Sequence, residues 1–369
     1  VFASTAQRGN LPAQPLIPHF PSVSVFAEKL IAWQQVHGRH DLPWQHTRDP
    51  YAVWVSEIML QQTQVSAVIG YYNRFMTRFP TIASLAEASQ DDVMQHWSGL
   101  GYYSRARNLH HSAQTIMREH DGQFPQDFDQ IQTLKGIGRS TAAAISVFAF
   151  QQQQTILDGN VKRVLARLHG IDGWPGLPLI EKQLWTLAES LLPDKQLPAY
   201  IQGLMDFGAT FCKRSKPRCS DCPMQNQCQA FLQQRVLQLP ASKPRKAIPE
   251  KQTTMLMILD AGEILLEKRP NQGIWGGLWS LPEIAPTQVS VQQVQEKYGM
   301  QTESLEVLPV LWHTFSHFKL EITPQPLQLS GQRPLLPPTL QWLSVNDAID
   351  AALPAPVRTL LKTLQQSRY

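Results

Sequence analysis

The chain has 369 residues, 43% of them hydrophobic and 17% charged, with 33 basic against 29 acidic side chains and a formal net charge of +4. That length allows two domains, each burying its own core, and the composition is that of an ordinary soluble globular protein. No run approaches the roughly 18 apolar residues of a membrane span, and the opening VFASTAQRGNLPAQPLIPHF lacks the apolar stretch of a signal peptide. A cytoplasmic protein is the expectation.

In chain order, residues 1–23 read as an extension and residues 24–232 as mostly helical. Apolar positions recur at helical spacing over 51–72, and again over 86–97, 103–118, 139–150, 160–169, 180–192 and 197–208. The breaks are SGLGYYS (98–104), LKGIG (134–138) and LDGN (157–160). Residues 233–250 are rich in proline and lysine and read as a linker. From 251 to 369 the pattern becomes that of an α+β domain. TTMLMILD (253–260) and EILLEKR (263–269) flank an Ala261–Gly262 turn as a hairpin, 306–322 reads as a second strand pair around a polar turn, and helical patterns follow at 345–352 and near the C-terminus.

The net charge does not announce a nucleic-acid binder, but its distribution does. Basic residues gather at Arg105 and Arg107, Lys135 and Arg139, Lys162, Arg163 and Arg167, from Lys213 to Arg218, and at Lys243, Arg245 and Lys246. Several of these groups sit beside glycine-rich turns, which makes phosphate contact the expected role of the set.

Three motifs carry chemistry. All four cysteines, Cys212, Cys219, Cys222 and Cys228, fall within 17 residues, spaced C-x6-C-x2-C-x5-C. In a reducing compartment such a cluster is a metal or iron–sulfur site. A single CxxC with two longer arms suits four thiolates converging on one compact cluster, with zinc left open on spacing alone. LKGIGRSTAAAI (134–145) places Gly136 and Gly138 two apart, so the chain can turn tightly between helices and present backbone N–H groups to a phosphate; Leu134, Ile137 and Ala142–Ile145 supply the packing. Asp158 follows in a turn ahead of a basic helix, where the helix macrodipole should keep its carboxylate ionised and Asn160 could hold it. In WVSEIMLQQTQV (54–65), Glu57 lies within an otherwise apolar helical stretch. Burying it charged is costly, so burial would raise its pKa and keep it protonated, as a general acid requires. Gln61 lies one turn on along the same face, and Gln62 and Thr63 crowd the helix end.

These motifs, in this order, resemble the MutY-type adenine DNA glycosylases of the helix–hairpin–helix, endonuclease III superfamily, over nearly the whole chain. FCKRSKPRCSDCPMQNQC is similar to that superfamily's [4Fe–4S] loop, spanning 212–228 here, and WVSEIMLQQTQV to the adenine glycosylase catalytic helix. The resemblance implies one [4Fe–4S] cluster on the four cysteines, duplex DNA with adenine opposite 8-oxoguanine or guanine as partner, and a monomer working beside the bacterial nucleoid. It implies Glu57 as general acid and Asp158, with Asn160, as stabiliser of an oxocarbenium-like sugar. It further implies Trp44, Leu60, Gln202 and Met205 around the adenine, Gln61 and Thr63 as further substrate-binding residues, Gln62 and Tyr102 wedged into the duplex, and Gly136, Gly138, Arg139 and Lys162 on the DNA backbone. Lyases of the superfamily carry a lysine where this chain has Ser140, so a monofunctional enzyme is implied. The alternative is an endonuclease III-like glycosylase–lyase. Residues 251–369 resemble a Nudix-like domain but keep only Glu296 of the R-E-x-x-E-E set that binds magnesium. The implied role there is lesion recognition through Phe315, Ser316 and His317.

Overall fold

The computed structural model describes residues 23–244 and 247–366; the expected N-terminal extension up to residue 22, and Arg245 and Lys246, lie outside the described residues. The helical region runs α1 (Val23–His37), α2 (Pro50–Leu60), α3 (Val65–Arg78), α4 (Ile82–Glu87), α5 (Gln90–Trp97), α6 (Ser104–Glu119), α7 (Phe128–Thr133), α8 (Arg139–Phe150), α9 (Gly159–His169), α10 (Pro178–Ser190), α11 (Leu197–Asp206) and α12 (Gln229–Leu232). The sheet region follows with β1 (Glu250–Asp260), β2 (Glu263–Lys268), β3 (Trp279–Ser280), β4 (Glu283–Ile284), α13 (Ser290–Tyr298), β5 (Thr302–Ser304), β6 (Leu311–Thr314), β7 (Lys319–Leu329), β8 (Leu340–Ser344), α14 (Val345–Asp350) and α15 (Ala355–Gln366). A mostly helical region followed by an α+β region is the fold the resemblance implied. Among the described residues no helix is long and apolar enough to cross a membrane.

The chain forms two compact units, one from residues up to 39 with 157–242, the other from 40–156 with 243 onward. In the first, α1 lies against α11, and α9 meets α10, α11 and α12. At the end of α11 the backbone widens into a π turn, Phe207–Phe211. Phe207 stacks on Phe211 with ring centres 5.2 Å apart, and Trp33 meets both edge-on, so an aromatic cluster holds the turn. Gly208 lies on this turn against α9.

In the second unit, residues 51–72 do not form one helix. The chain leaves the helix after Leu60 and re-enters at Val65, with Gln62 in the left-handed region at φ +56°. The apolar periodicity continues across the break, which is why the pattern alone did not show it. The hairpin expected at Ala261–Gly262 is present, with Leu259 opposite Ile264 and both turn residues at positive φ. β1 is buried on both faces. Met255, Met257 and Leu259 join the core that also contains Trp97, Leu109 and Ile145, while Leu256 and Ile258 face the smaller core of Val294 and Leu327. That two-sided burial explains its near-continuous apolar run.

The second expected strand pair is also found, β6 against β7, but β7 continues beyond Ile322 through Pro324 and Pro326 to Leu329. It runs parallel to β1, with Met255 opposite Pro324 and Met257 opposite Pro326. Prolines normally argue against a central strand. Here their carbonyls face away from β1, accepting from Leu308 N (3.2 Å) and Leu305 N (3.0 Å), so the missing N–H groups leave the pairing with β1 intact. α13 was not foreseen either; it packs Val294 onto the far face of the sheet.

A methyl group added at Gly208 would stand 2.6 Å from Asn160 Cβ and 3.1 Å from its backbone. Gly208→Ala should therefore destabilise the protein by about 1–3 kcal/mol through overpacking, read as a lower urea midpoint at unchanged slope. An unchanged midpoint would show that α9 yields freely there.

Candidate nucleic-acid interface and catalytic residues

In the second unit the groups of interest hang from one buried arginine. α2 starts at Pro50, with the Asp49 carboxylate accepting from Tyr51 N at 3.0 Å, and is sunk in the core through Tyr51–Ser56, Ile58 and Met59. Glu57 is the half-buried polar residue on this helix, set between fully buried neighbours. A helix end leaves carbonyls without helical partners. Arg105, itself buried on α6, supplies their donors. Its Nη1 lies 2.9, 2.8 and 2.7 Å from the carbonyl oxygens of Ile58, Met59 and Gln61. Its Nη2 reaches Thr63 Oγ1 at 3.2 Å and the carbonyls of Leu100 and Gly101 at 3.4 and 3.1 Å. Burial pulls this guanidinium down to about 10. The two segments it joins each carry an exposed residue in left-handed backbone, Gln62 (φ +56°) and Tyr102 (φ +48°).

Gln62 and Tyr102 line one cavity of about 210 Å³ with Ile58, Gln61, Asn108 and Gly136. Gln61 donates through Nε2 to Thr141 Oγ1 at 3.2 Å, tying the end of α2 to the first turn of α8. Gly136 has φ +88°, and a Cβ there would stand 2.9 Å from Asn108 Cβ, so the hairpin needs glycine for both reasons. Gly138 is different. Its φ is −95°, and an added Cβ would meet nothing within 4 Å. Neither backbone nor packing demands glycine at Gly138, and α8 begins there without a side-chain cap, leaving room for close approach by an anion. Arg139 is exposed and Ser140 half-buried in the same turn. Trp44 is buried edge-on to Tyr72, 5.2 Å between ring centres, and Leu60 is packed partly against the same core.

The β6–β7 turn closes with Phe315 N donating to Phe318 O at 2.8 Å. Phe315 is anchored by stacking on Phe318 (4.5 Å) and by contacts with Trp275 (5.2 Å) and His313 (4.6 Å). This leaves Ser316 and His317 exposed at the tip, with Ser316 Oγ 3.4 Å from His317 Nδ1.

In the first unit Asp158 caps α9. Its Oδ1 accepts from Val161 N (2.8 Å) and its Oδ2 from Asn160 Nδ2 (3.1 Å). Asn160 in turn accepts from Arg163 Nη2 at 2.9 Å. Asp158 was expected to stay ionised at the helix N-terminus. Its pKa is raised from the ordinary aspartate value, because burial outweighs the opposing pull of Val161 N–H, the Asn160 amide and Arg163; that direction alone does not protonate the carboxyl at neutral pH. Gln202 and Met205 are half-buried on α11.

The four cysteines, none in a disulfide, line one largely apolar cavity of about 30 Å³ with Phe211, Met224 and Arg167. Among the described residues no three His, Cys, Asp or Glu side chains stand in a ready-made metal-ligand arrangement. The donor set nevertheless suits a thiolate-bound group. Burial, with repulsion from the neighbouring sulfurs, pushes Cys222 up to about 12 and raises Cys219 and Cys228, so the thiolate form of these three is favoured by a cationic group bound among them.

Residues 55–190 match the HhH-GPD superfamily of base excision DNA repair proteins, and 254–363 match the NUDIX domain family. The adenine DNA glycosylase of Buchnera aphidicola subsp. Acyrthosiphon pisum is 36% identical over 94% of this chain and 99% of its own length. The chain belongs to the adenine DNA glycosylase family. The human adenine DNA glycosylase is 35% identical over 93% of this chain and 74% of its own. The solved structure of a thermostable thymine-DNA glycosylase superposes with a TM-score of 0.53 at 30% identity, covering 57% of this chain and 97% of that one. An endonuclease III–DNA covalent intermediate, 19% identical with a TM-score of 0.50 over 58% of this chain and 99% of its own, shares the fold. The protein is thus a DNA-repair hydrolase of N-glycosyl bonds, and DNA is its partner.

Several basic residues of this family member do not do what their clustering implied. Arg105 is buried on carbonyls. Arg107 donates to Gly276 O. Arg163 binds the carbonyls of Gly208 (2.6 Å) and Cys212 (2.9 Å), and buried Arg167 those of Leu239 (2.8 Å) and Lys213 (2.7 Å). Lys162 pairs with Glu181 at 2.5 Å. The physical reason is common to the arginines: irregular backbone at helix ends and in the cysteine loop leaves carbonyls that a five-donor guanidinium satisfies. The exposed cations near the turns are Lys135 and Arg139, and in the cysteine loop Lys213, Arg214, Lys216 and Arg218. Arg105 as organiser was missed because sequence gives no sign of which arginine turns inward; its one hint is its place just after the glycine-rich SGLGYYS break.

Arg105→Met should cost about 3–5 kcal/mol, since it strands several buried carbonyls at once. Arg105→Lys should recover less than half, because one ammonium cannot span both segments. Urea unfolding checks both, and a loss under about 1 kcal/mol for the methionine variant would contradict the organising role.

Proposed function

We propose that the protein removes adenine paired with 8-oxoguanine, or with guanine, from duplex DNA by hydrolysis, without cutting the strand. The observation that carries this reading is the half-buried Asp158 carboxylate, fixed by Val161 and Asn160 at the head of α9, in a chain of the adenine glycosylase family. Adenine inside a stacked duplex is out of reach, so the nucleotide must be flipped out. Gln62 and Tyr102, exposed and braced from behind by Arg105, are suited to fill the space it leaves. The hairpin at Gly136–Gly138, with Arg139, takes a phosphate; Lys162 contributes only if its bond to Glu181 opens. Trp44, Leu60, Gln202 and Met205 are assigned to the adenine pocket, and Gln61 and Thr63 to substrate binding. Burial of Trp44 favours a supporting role.

Glu57 then protonates the base, turning adenine into a neutral leaving group. Asp158 stabilises the positive charge that develops on the sugar, as carboxylates do in glycoside hydrolysis, and water completes the reaction. Ser140 stands where a lyase would need an amine, and Lys162 is engaged with Glu181, which disfavours the glycosylase–lyase alternative. The cysteines are proposed to hold one [4Fe–4S] cluster, whose charge would compensate the four thiolates; its role is to fix the 212–228 loop, which presents Lys213 and Arg214 outward. Residues 24–232 are assigned to catalysis and 251–369, after the 233–250 linker, to lesion recognition. The enzyme is proposed to act as a monomer in the bacterial cytoplasm.

Single-turnover excision from an adenine:8-oxoguanine duplex tests this, with strand breaks expected only after hot alkali. Asp158→Asn should lower the rate by at least about 10³-fold. Because Asp158 must be ionised and its pKa is raised, the wild-type rate should fall with decreasing pH above the ordinary aspartate range. A rate that keeps rising down to about pH 4, or an active Asp158→Asn, would refute its role. Replacing Ser316 and His317 together by alanine should narrow the preference for 8-oxoguanine over guanine roughly tenfold at saturating enzyme while sparing excision from adenine:guanine. Equal losses on both duplexes would remove the β6–β7 turn from lesion reading.

A further inference from the structure

Asp206 is a fully buried carboxylate on α11 for which the catalytic proposal has no use. It is not a stray charge. Arg39 donates to both its oxygens, through the backbone N to Oδ2 (2.8 Å) and through Nε and Nη2 to Oδ1 (2.7 and 2.5 Å). One turn earlier on the same helix, Gln202 donates through Nε2 to that same Oδ1 at 2.9 Å. With both oxygens receiving N–H groups from Arg39, the carboxylate faces Gln202 purely as an acceptor.

A glutamine amide is ambiguous by nature, donor at one end and acceptor at the other, and rotates between the two presentations at little cost. Here the ambiguity is removed. One N–H of the Gln202 amide is committed to Asp206, which fixes the amide's rotation, so its carbonyl Oε1 is the acceptor left for a ligand. Rotating the amide would set Oε1 against a carboxylate oxygen, acceptor against acceptor, in a buried site where such a mismatch is expensive.

We infer that Asp206, held by Arg39, is a positioning residue that fixes the polarity of Gln202 and so sets which six-position substituent of a purine the pocket accepts. An outward carbonyl oxygen takes a hydrogen bond from an exocyclic amine and repels a carbonyl. Adenine carries the amine; hypoxanthine, of nearly the same shape, carries a carbonyl. A site built to pair a polar group rejects the analogue that mismatches it far more strongly than a hydrophobic pocket rejects a change of size. The inference rests on the assignment of Gln202 to the adenine pocket.

The test compares single-turnover excision of adenine and of hypoxanthine, each opposite 8-oxoguanine, by the cluster-loaded full chain. Wild type should prefer adenine by at least about 100-fold. Gln202→Leu, a change at a half-buried position, should reduce that ratio at least about tenfold, losing adenine excision while sparing or raising hypoxanthine excision. Asp206→Asn, which lets the neighbouring amide turn over, should reduce the ratio similarly, and should change it no further in the Gln202→Leu background. Equal loss on both bases in Gln202→Leu would overturn the inference, as would an Asp206→Asn effect of the same size with Gln202 absent. If Asp206→Asn fails to fold, Asp206→Glu, which keeps the charge but shifts the carboxylate by one methylene relative to Gln202, takes its place: a lowered adenine preference that vanishes in the Gln202→Leu background supports the inference, and an unchanged preference overturns it. A wild-type enzyme that releases no adenine would instead overturn the proposed function, so the two failures are distinct.

Discussion

One guanidinium organises the surface that the second unit presents. Arg105 is buried, positively charged and surrounded mainly by carbonyl oxygens, belonging on one side to the end of α2 and on the other to the break before α6. A charge of this kind is tolerated only where its donors are used, and unpaired carbonyls at a buried helix end are tolerated only where something donates to them. Each removes the other's cost. The outcome is that two irregular segments, which would otherwise sample several conformations, are held in one. Gln62 and Tyr102, both in strained left-handed backbone, owe their placement to it.

The same logic recurs in the first unit with different carbonyls. Arg163 and Arg167 stitch α9 to the π turn and to the cysteine loop, and Arg163 also holds Asn160, which holds Asp158. The carboxylate proposed to face the sugar is therefore positioned by a chain of bonds that leads back to the loop bearing Cys212. Asp206 is the mirror image, a buried anion whose donors come from Arg39 and Gln202. In each case a buried charge fixes the direction of a neutral polar group.

Much of this was legible in the sequence, and what was not has identifiable causes. Most of the longer helices follow from apolar spacing, and the Ala261–Gly262 hairpin from its turn residues, whereas the break at Ser89 inside the apolar rhythm of 86–97 and the short helix capped by Asp127 did not. The break after Leu60 was hidden because α2 and α3 keep one apolar rhythm across it. The extension of β7 was hidden by Pro324 and Pro326, and its parallel pairing with β1 depends on residues some 70 positions away, for which local pattern holds no information. The glycine pair, the four cysteines and the Asp158–Asn160 contact could be named beforehand because residue type and spacing carry their chemistry. The direction of the Asp158 shift could not, since it turns on how deeply the cap is buried. Nor could the inward turn of the arginines, because a guanidinium on a helix looks the same in sequence whether it meets a phosphate or a carbonyl.

That inward turn has a bearing on how the protein grips DNA. Arginines already spent on the protein's own carbonyls release no counterions when a duplex arrives. The logarithm of affinity should accordingly fall with the logarithm of ionic strength by close to one unit for each phosphate neutralised by exposed cations such as Arg139 and Lys213, and not by a slope set by the full basic count. An enzyme of this build should show a shallow salt dependence on undamaged DNA. Whatever selectivity it has between sites must then come from shape and hydrogen-bonding, because charge contributes little that distinguishes one sequence from another.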